Sequence, residues 1–219
     1  MDKPFAIFDM DGTLVDSMVY WQRLGREYLT SRGVTEGMDE VLERIKAMTM
    51  AESSALFIEA FGLPGTPERV EAEMNAVMDE HYRSDIPLKP GAADYLNVLK
   101  KRGTRMCVAT ATPEPLARAC LKRLGVLEDF EFLLSCDEVA AGKDRPDVFL
   151  EAARRLGGVP PETAVFEDAL FALRTAKDAG FYTVGVWDAS GERRWKELTA
   201  LADETVRDWG AAADKMKKI

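Results

Sequence analysis

Residues 5–13 read Phe-Ala-Ile-Phe-Asp-Met-Asp-Gly-Thr, an apolar run that stops at two aspartates one residue apart. The apolar part predicts a buried parallel strand, because such strands are covered on both faces and are apolar throughout. The two aspartates, Asp9 and Asp11, then lie at its carboxyl end, where open α/β sheets bind ligands. Since buried carboxylates are costly unless a cation or a proton accompanies them, this stretch predicts a metal site at the mouth of a parallel sheet.

From residue 89 onward, predicted helices alternate with short β-rich runs. The predicted strands are 105–109, 130–134, 163–166 and 182–187, with a short candidate at 205–206. The predicted helices are 92–102, 114–124, 147–156, 169–179, 191–202 and a last one from residue 208. The first four of these helices run directly into a glycine, which favours a left-handed helix end. Repeated βα units with right-handed crossovers predict an α/β fold, a Rossmann-like parallel sheet with helices on both faces.

Residues 16–87 interrupt this alternation, because they contain no convincing strand pattern. The predicted helices there are 18–31, 39–47, 51–61 and 67–82, divided by glycines and a Leu-Pro-Gly turn. Pro87 and Pro90 fix the backbone φ angle where the chain returns to the alternating pattern. We therefore predict a catalytic core formed by 1–15 and 88–219, with an inserted helical cap domain at 16–87.

The composition excludes several classes of protein. With 219 residues, 47% of them hydrophobic and 31% charged, the chain has the composition of a globular protein. A net charge of -9 argues against a nucleic-acid partner, because contacts to a phosphate backbone need clustered Lys and Arg. No run approaches the roughly 18 apolar residues of a membrane span, and no basic and apolar leader precedes the first strand. Three cysteines without CxxC spacing predict no disulfide framework. We expect a cytoplasmic protein with no membrane partner, and the sequence leaves its oligomeric state open.

Four segments together resemble the signature motifs of the haloacid dehalogenase-like (HAD) phosphotransferases. They are DMDGTLVDS at 9–17, VATATP at 108–113, GKDRPD at 142–147 and VFED at 165–168. They occur in the family's order and together cover the whole chain, so the combination is specific. The helical insertion matches the family's C1-type cap, as in β-phosphoglucomutase and phosphoglycolate phosphatase. The resemblance implies an enzyme that acts on a small phosphorylated substrate.

The resemblance also implies roles for residues of the first two motifs. Asp9 would attack phosphorus as the nucleophile and form an aspartyl-phosphate. Asp11 would protonate the leaving oxygen and then take a proton from the water that hydrolyses the intermediate. Backbone N–H groups and the Thr110 hydroxyl would hold the phosphoryl oxygens. The predicted residues of this phosphate-binding set are Gly12, Thr110, Ala111 and Thr112.

The third and fourth motifs would supply positive charge to the reaction. Lys143 would pair with the nucleophile and with the phosphoryl group. Carboxylate and carbonyl oxygens are the ligands of octahedral Mg²⁺, which we expect as the cofactor. The predicted ligands are the side chains of Asp9, Glu167 and Asp168 and the backbone carbonyl of Asp11. Some relatives carry a further aspartate where this chain has Ala172, so Glu167 must take that place, directly or through water.

Two positions depart from the family pattern. Asp144 replaces the proline expected after Lys143 and adds a carboxylate beside the lysine. Ala169 stands where the subfamily commonly has a serine after the Glu-Asp pair. Neither change removes a residue with a predicted chemical role.

Three activities remain open at the level of the sequence. The first is a Mg²⁺-dependent phosphatase, the second a sugar-phosphate mutase of the β-phosphoglucomutase type, and the third a catalytically inert phosphate-binding module. By motif offset, the cap histidine of the mutases falls at Trp21 and their phosphate-binding cap arginine falls near Met50. Because neither residue can replace those groups, we favour the phosphatase. Trp21 and Met50 would either contact the substrate or form the core of the cap.

Overall fold

The computed structural model describes residues 2–45 and 48–218. Within these residues, six strands pair in parallel. They are β1 (Phe5–Phe8), β2 (Arg105–Thr110), β3 (Leu133–Ser135), β4 (Thr163–Glu167), β5 (Tyr182–Val186) and β6 (Glu204–Val206). Their order in the sheet is β3-β2-β1-β4-β5-β6. The chain builds outward from β1 to one side and then crosses to the other with β4. This reversal beside β1 is the switch point at which open α/β sheets bind ligands.

Most helices occupy the predicted positions, with small changes at their ends. In chain order they are α1 (Met18–Ser31), α2 (Met38–Ile45), α3 (Met50–Phe61), α4 (Pro67–Ser84), α5 (Ala92–Lys101), α6 (Glu114–Arg123), α7 (Cys136–Val139), α8 (Asp147–Leu156), α9 (Leu170–Asp178), α10 (Trp195–Leu201) and α11 (Trp209–Lys217). The last two positions of the helix predicted at 39–47 lie outside the described residues. No helix in the described ranges is both long enough and apolar enough to cross a membrane.

Both faces of the sheet are covered by helices, which confirms the predicted α/β fold. On one face, Ile7 of β1 and Val165 of β4 belong to a buried cluster with residues of α8 and α9. On the other face, Phe8 stacks on Phe166 with ring centroids 4.3 Å apart, and Trp209 of α11 lies beside both rings. Because side chains alternate between the faces of a strand, neighbouring residues of β1 hold different helices in place.

Three local predictions need correction. The strand predicted from residue 130 begins only at Leu133, because the chain before it makes a 3-10 turn at Leu127–Asp129. The helix predicted at 191–202 is a 3-10 segment over Ala189–Arg194 followed by α10. The short helix α7 was not predicted, although Ser135 and Glu138 form a capping box at its start.

Contacts between Cα atoms divide the chain into two compact units, Met1–Met18 with Ile86–Ile219, and Val19–Asp85. Within the second unit, α3 packs against α4. A capping box between Thr49 and Glu52 fixes the start of α3, and Gly62 at φ 62° ends it. The side chains buried in this unit include Leu29, Phe57, Met74 and Met78. The sequence-based division into a catalytic core at 1–15 and 88–219 and a cap at 16–87 stays a prediction.

Candidate active site

The site is built around a buried lysine between two carboxylates. Asp9 directly follows β1, and its backbone N–H donates to the carbonyl oxygen of Phe166 in β4 at 3.0 Å. Lys143, from the loop between α7 and α8, forms an ion pair with Asp9 and a second with Glu167 Oε1 at 2.7 Å. The lysine side chain is only 7% exposed, so its charge acts on the two carboxylates with little screening by solvent.

The carboxylates of Glu167 and Asp168 lie at the end of β4, beside this lysine. Glu167 is 1% exposed, and its Oε2 accepts a hydrogen bond from the Ala169 backbone N–H at 3.1 Å. Asp168 Oδ1 accepts a hydrogen bond from the Thr13 hydroxyl at 3.1 Å. One carboxylate oxygen from each of Asp9, Glu167 and Asp168 lies within 4.8 Å of the other two. This all-carboxylate donor set fits a hard divalent cation such as Mg²⁺.

The electrostatics of the cluster also favour a cation. Burial raises the pKa of Asp168 well above its usual range, and the neighbouring carboxylates of Glu167 and Asp9 raise it further. Burial alone would lower the pKa of Lys143, but the attraction of Asp9 and Glu167 outweighs it and raises the pKa. The lysine therefore stays charged, while the crowded carboxylates repel one another, which a bound cation would relieve.

The second aspartate of the opening motif has different surroundings. Asp11 Oδ1 accepts a hydrogen bond from the Ser17 hydroxyl at 2.7 Å, and its Oδ2 accepts one from the Thr112 hydroxyl at 2.6 Å. The three gathered carboxylates are those of residues 9, 167 and 168, while the Asp11 carboxylate is held by hydroxyl groups. The role of Asp11 in proton transfer stays a prediction.

The second motif joins β2 to the same region. Thr110 is fully buried at the end of β2, and its Oγ1 accepts a hydrogen bond from the Thr112 backbone N–H at 3.0 Å. That N–H, predicted to contact the phosphoryl group, is thus directed to Thr110, and the Thr112 hydroxyl reaches Asp11. Ala111 between them is exposed. The predicted roles of Thr110, Ala111 and Thr112 toward a phosphoryl group stay predictions.

Gly12 is required by its backbone conformation and by a close approach. Its φ angle is +78°, a conformation that L residues with a side chain rarely adopt. A Cβ added at this position would lie 2.4 Å from Asp168 Oδ2. The glycine therefore allows the first motif to pack directly on a carboxylate of the cluster.

The two predicted cap residues lie in the second unit. The indole N–H of Trp21 in α1 donates to the Tyr82 hydroxyl of α4 at 3.1 Å, which ties these two helices together. Met50 is the first residue of α3. Contact of either residue with a substrate stays a prediction.

Some site residues escaped the sequence analysis. Thr13 and Ser17, which contact Asp168 and Asp11, both lie in the first motif, but the sequence predicted no role for either of them. The extra carboxylate of Asp144 is exposed, while Lys143 pairs with the two buried acids. The departure from the family pattern at residue 144 thus leaves these two ion pairs in place.

The chain is similar in sequence and in fold to several known proteins. The sequence profile of the haloacid dehalogenase-like hydrolases matches residues 5–180. The chain is 30% identical over 179 residues to the phosphorylated carbohydrates phosphatase of Thermotoga maritima, covering 80% of this chain and 81% of that protein. It is 29% identical over 197 residues to the β-phosphoglucomutase of Bacillus subtilis, covering 83% and 82%. A crystal structure of a Thermotoga maritima protein, described provisionally as a β-phosphoglucomutase, superposes with a TM-score of 0.83 at 25% identity, covering 98% and 99%.

Proposed function

The chain belongs to the haloacid dehalogenase-like hydrolases, and on that premise we propose that it is a Mg²⁺-dependent phosphatase of a small phosphorylated metabolite. One observation carries the proposal, namely a strand-end carboxylate paired with a buried lysine beside a second acid that hydroxyl groups hold. A nucleophile, a proton donor and a fixed cation are what cleavage of a phosphate monoester requires. The name of the Thermotoga maritima relative supports a phosphorylated carbohydrate as the substrate class.

In the proposed mechanism, Asp9 and Asp11 divide the chemistry between them. An Asp9 carboxylate oxygen attacks phosphorus and forms the acyl-phosphate bond as the ester P–O bond breaks. The leaving oxygen receives its proton from the Asp11 carboxyl group. In the second step Asp11 takes a proton from water, whose oxygen attacks phosphorus and releases Asp9 and inorganic phosphate. Lys143 stays charged throughout and offsets the negative charge that the phosphoryl group brings beside Asp9.

The carboxylates of Asp9, Glu167 and Asp168 would hold the Mg²⁺ ion, together with the backbone carbonyl of Asp11. When bound, the ion would neutralise charge on the phosphoryl oxygens. Glu167 already uses one oxygen for Lys143 and the other for the Ala169 N–H. The Glu167 carboxylate would hold the ion directly or through water, and it would also orient the lysine.

We assign the helical unit Val19–Asp85 the role of the family's cap, the part of these enzymes that selects the leaving group. The second candidate activity is a sugar-phosphate mutase, which the Bacillus subtilis relative favours. The residues that this chain carries at the mutase cap positions, Trp21 and Met50, favour hydrolysis instead. Neither can take part in acid/base chemistry as histidine does or pair with a phosphate as arginine does.

The experiment that tests the proposal is product analysis with a panel of sugar 1- and 6-phosphates in Mg²⁺. We expect inorganic phosphate and free sugar in equal amounts, and no release after chelation of the metal. The Asp9→Asn variant is the control for a contaminating phosphatase. Isomerised sugar phosphate without phosphate release would overturn the hydrolase in favour of the mutase.

A further inference from the structure

A second buried ion pair lies beside the residues assigned to catalysis. Lys89 Nζ is 2.8 Å from Asp188 Oδ2, and the two side chains are 10% and 3% exposed. The same ammonium group donates to the Trp187 carbonyl oxygen at 2.8 Å. The other carboxylate oxygen of Asp188 accepts from the backbone N–H of Ser190 at 2.8 Å and from its hydroxyl at 2.5 Å. Both charges are therefore fixed in position.

Stability alone is a weak reason to keep such a pair. Removing two charges from water costs several kcal/mol per ion, and apolar replacements of buried ion pairs are often neutral or stabilising. Because this buried pair lies beside the candidate active site, its charges can influence the groups of that site.

The pair borders the segments that carry the carboxylate cluster. The Lys89 backbone N–H donates at 2.8 Å to the carbonyl oxygen of Leu14, which follows Thr13 in the first motif. Asp188 caps the turn that contains Gly191, where an added Cβ would lie 3.8 Å from the Asp168 backbone oxygen. The turn that Asp188 caps therefore lies close to Asp168, the cluster residue that follows β4.

The two charges act on a cation at the cluster in opposite directions. The carboxylate of Asp188 attracts a cation, and the ammonium group of Lys89 repels one. When both groups are present, their opposite charges largely cancel in their effect on the cluster. If only one of them is present, the cluster experiences the field of a full unit charge.

We propose that Lys89 and Asp188 are positioning residues that set the affinity of the Asp9, Glu167 and Asp168 cluster for its divalent cation, each opposing the other's charge. This inference rests on the proposed metal site. It predicts effects of opposite sign. Lys89→Met leaves a carboxylate unopposed and tightens cation binding about tenfold, while Asp188→Asn leaves an ammonium group unopposed and weakens binding about tenfold. The double variant binds as the wild type does.

The test is titration of the metal-free full-length protein with Mn²⁺ alone, reading free Mn²⁺ by electron paramagnetic resonance. Lys89→Arg keeps the charge and should keep the dissociation constant. The exposed pair of Lys100 and Asp129, 2.7 Å apart, supplies matched controls, and Lys100→Met and Asp129→Asn should leave binding unchanged. Circular dichroism melts establish that each variant is folded.

The outcomes separate this inference from the function on which it rests. Shifts of opposite sign that cancel in the double variant support the inference. A purely structural pair would lower the melting temperature in both single variants and shift binding in one direction or not at all, which overturns it. Wild-type Mn²⁺ binding that Asp168→Asn removes would then still support the metal site. Absence of any Mn²⁺ binding by the wild-type protein overturns the metal site and the inference together.

Discussion

The charged groups of the two units are arranged in contrasting ways. In the sheet unit, Lys143 is buried between Asp9 and Glu167, where desolvation opposes every charge. In the helical unit, ion pairs such as that of Arg26 with Asp39 are open to solvent, with side chains 52% and 89% exposed. Exposed pairs contribute about 0–1 kcal/mol, so they adjust stability slightly. The contrast teaches that costly buried charges lie in the candidate active site, and it predicts larger consequences for substitutions there than in exposed ion pairs.

The largest expected effect is at Asp9, the proposed nucleophile. Asp9→Asn should reduce hydrolysis of p-nitrophenyl phosphate in Mg²⁺ by a factor on the order of 10⁴ to 10⁶, because the amide cannot form the acyl-phosphate. Initial rates of p-nitrophenol release, with circular dichroism to verify folding, measure this. The matched control in the helical unit is Asp39→Asn, which should retain wild-type turnover. Comparable turnover in both variants would remove the distinction between the units.

An intermediate effect is expected at the buried lysine. Lys143→Met keeps most of the side-chain volume but leaves Asp9 and Glu167 facing each other without their shared cation. We expect kcat to fall by about 10²–10³-fold. We also expect a lower melting temperature, since two carboxylates lose their buried partner. The exposed Lys100→Met serves as the control, and a kcat within about twofold of wild type for Lys143→Met would contradict the account.

The smallest effect is expected in the helical unit, at the histidine that lies between two acids. His81 Nδ1 lies 2.9 Å from Asp85 Oδ1, and its Nε2 lies 3.1 Å from Glu27 Oε2, with the Tyr20 ring 4.8 Å away. Burial by itself would lower the pKa of His81, but hydrogen bonds to Asp85 and Glu27 outweigh it and raise the pKa above its usual value.

Because the folded state has the higher pKa, the protonated histidine stabilises the fold fully below the unfolded pKa. That contribution is lost as the pH rises through the folded value. Chemical unfolding of wild type and His81→Gln should therefore differ by less than ~1 kcal/mol, with the larger difference at about pH 5.5 and almost none at about pH 9. A difference that grows with pH would contradict the assignment. Turnover of the aryl phosphate by His81→Gln at neutral pH should match wild type.

The sequence predicted what depends on local patterns. The apolar run before Asp9 predicted β1, and the glycines at 157 and 180 predicted the ends of α8 and α9, where their φ angles are 77° and 88°. Such features follow from neighbours in the chain, because strand burial and left-handed helix ends are local properties. The prediction that Asp9 and Lys143 converge rested on the resemblance to the family's motifs. No physical property of the loop that carries the lysine predicted it.

The contacts that the sequence could not predict join distant segments. The hydroxyls of Ser17 and Thr112 both hydrogen-bond to Asp11, although these residues are 6 and 101 positions away from it in the sequence. Lys89 hydrogen-bonds to the first motif through its backbone, and Asp188 lies in the loop after β5. Their contact therefore also depends on how distant segments are placed. Loop conformations set these contacts, and turn chemistry alone does not specify where a long loop places its side chains.

The central claim is that a phosphoryl group is carried transiently on Asp9. Chemical trapping tests it most directly in Asp11→Asn, because an aryl oxide leaves without a proton donor while hydrolysis of the intermediate loses its base. The variant is mixed with p-nitrophenyl phosphate and Mg²⁺, then quenched and reduced with borohydride, which converts an acyl-phosphate to an alcohol. The account predicts homoserine at position 9 by peptide mass spectrometry, dependent on substrate. Turnover of the wild-type enzyme with no reduced residue at position 9 in the trapped variant, or with the reduced residue elsewhere, would contradict it.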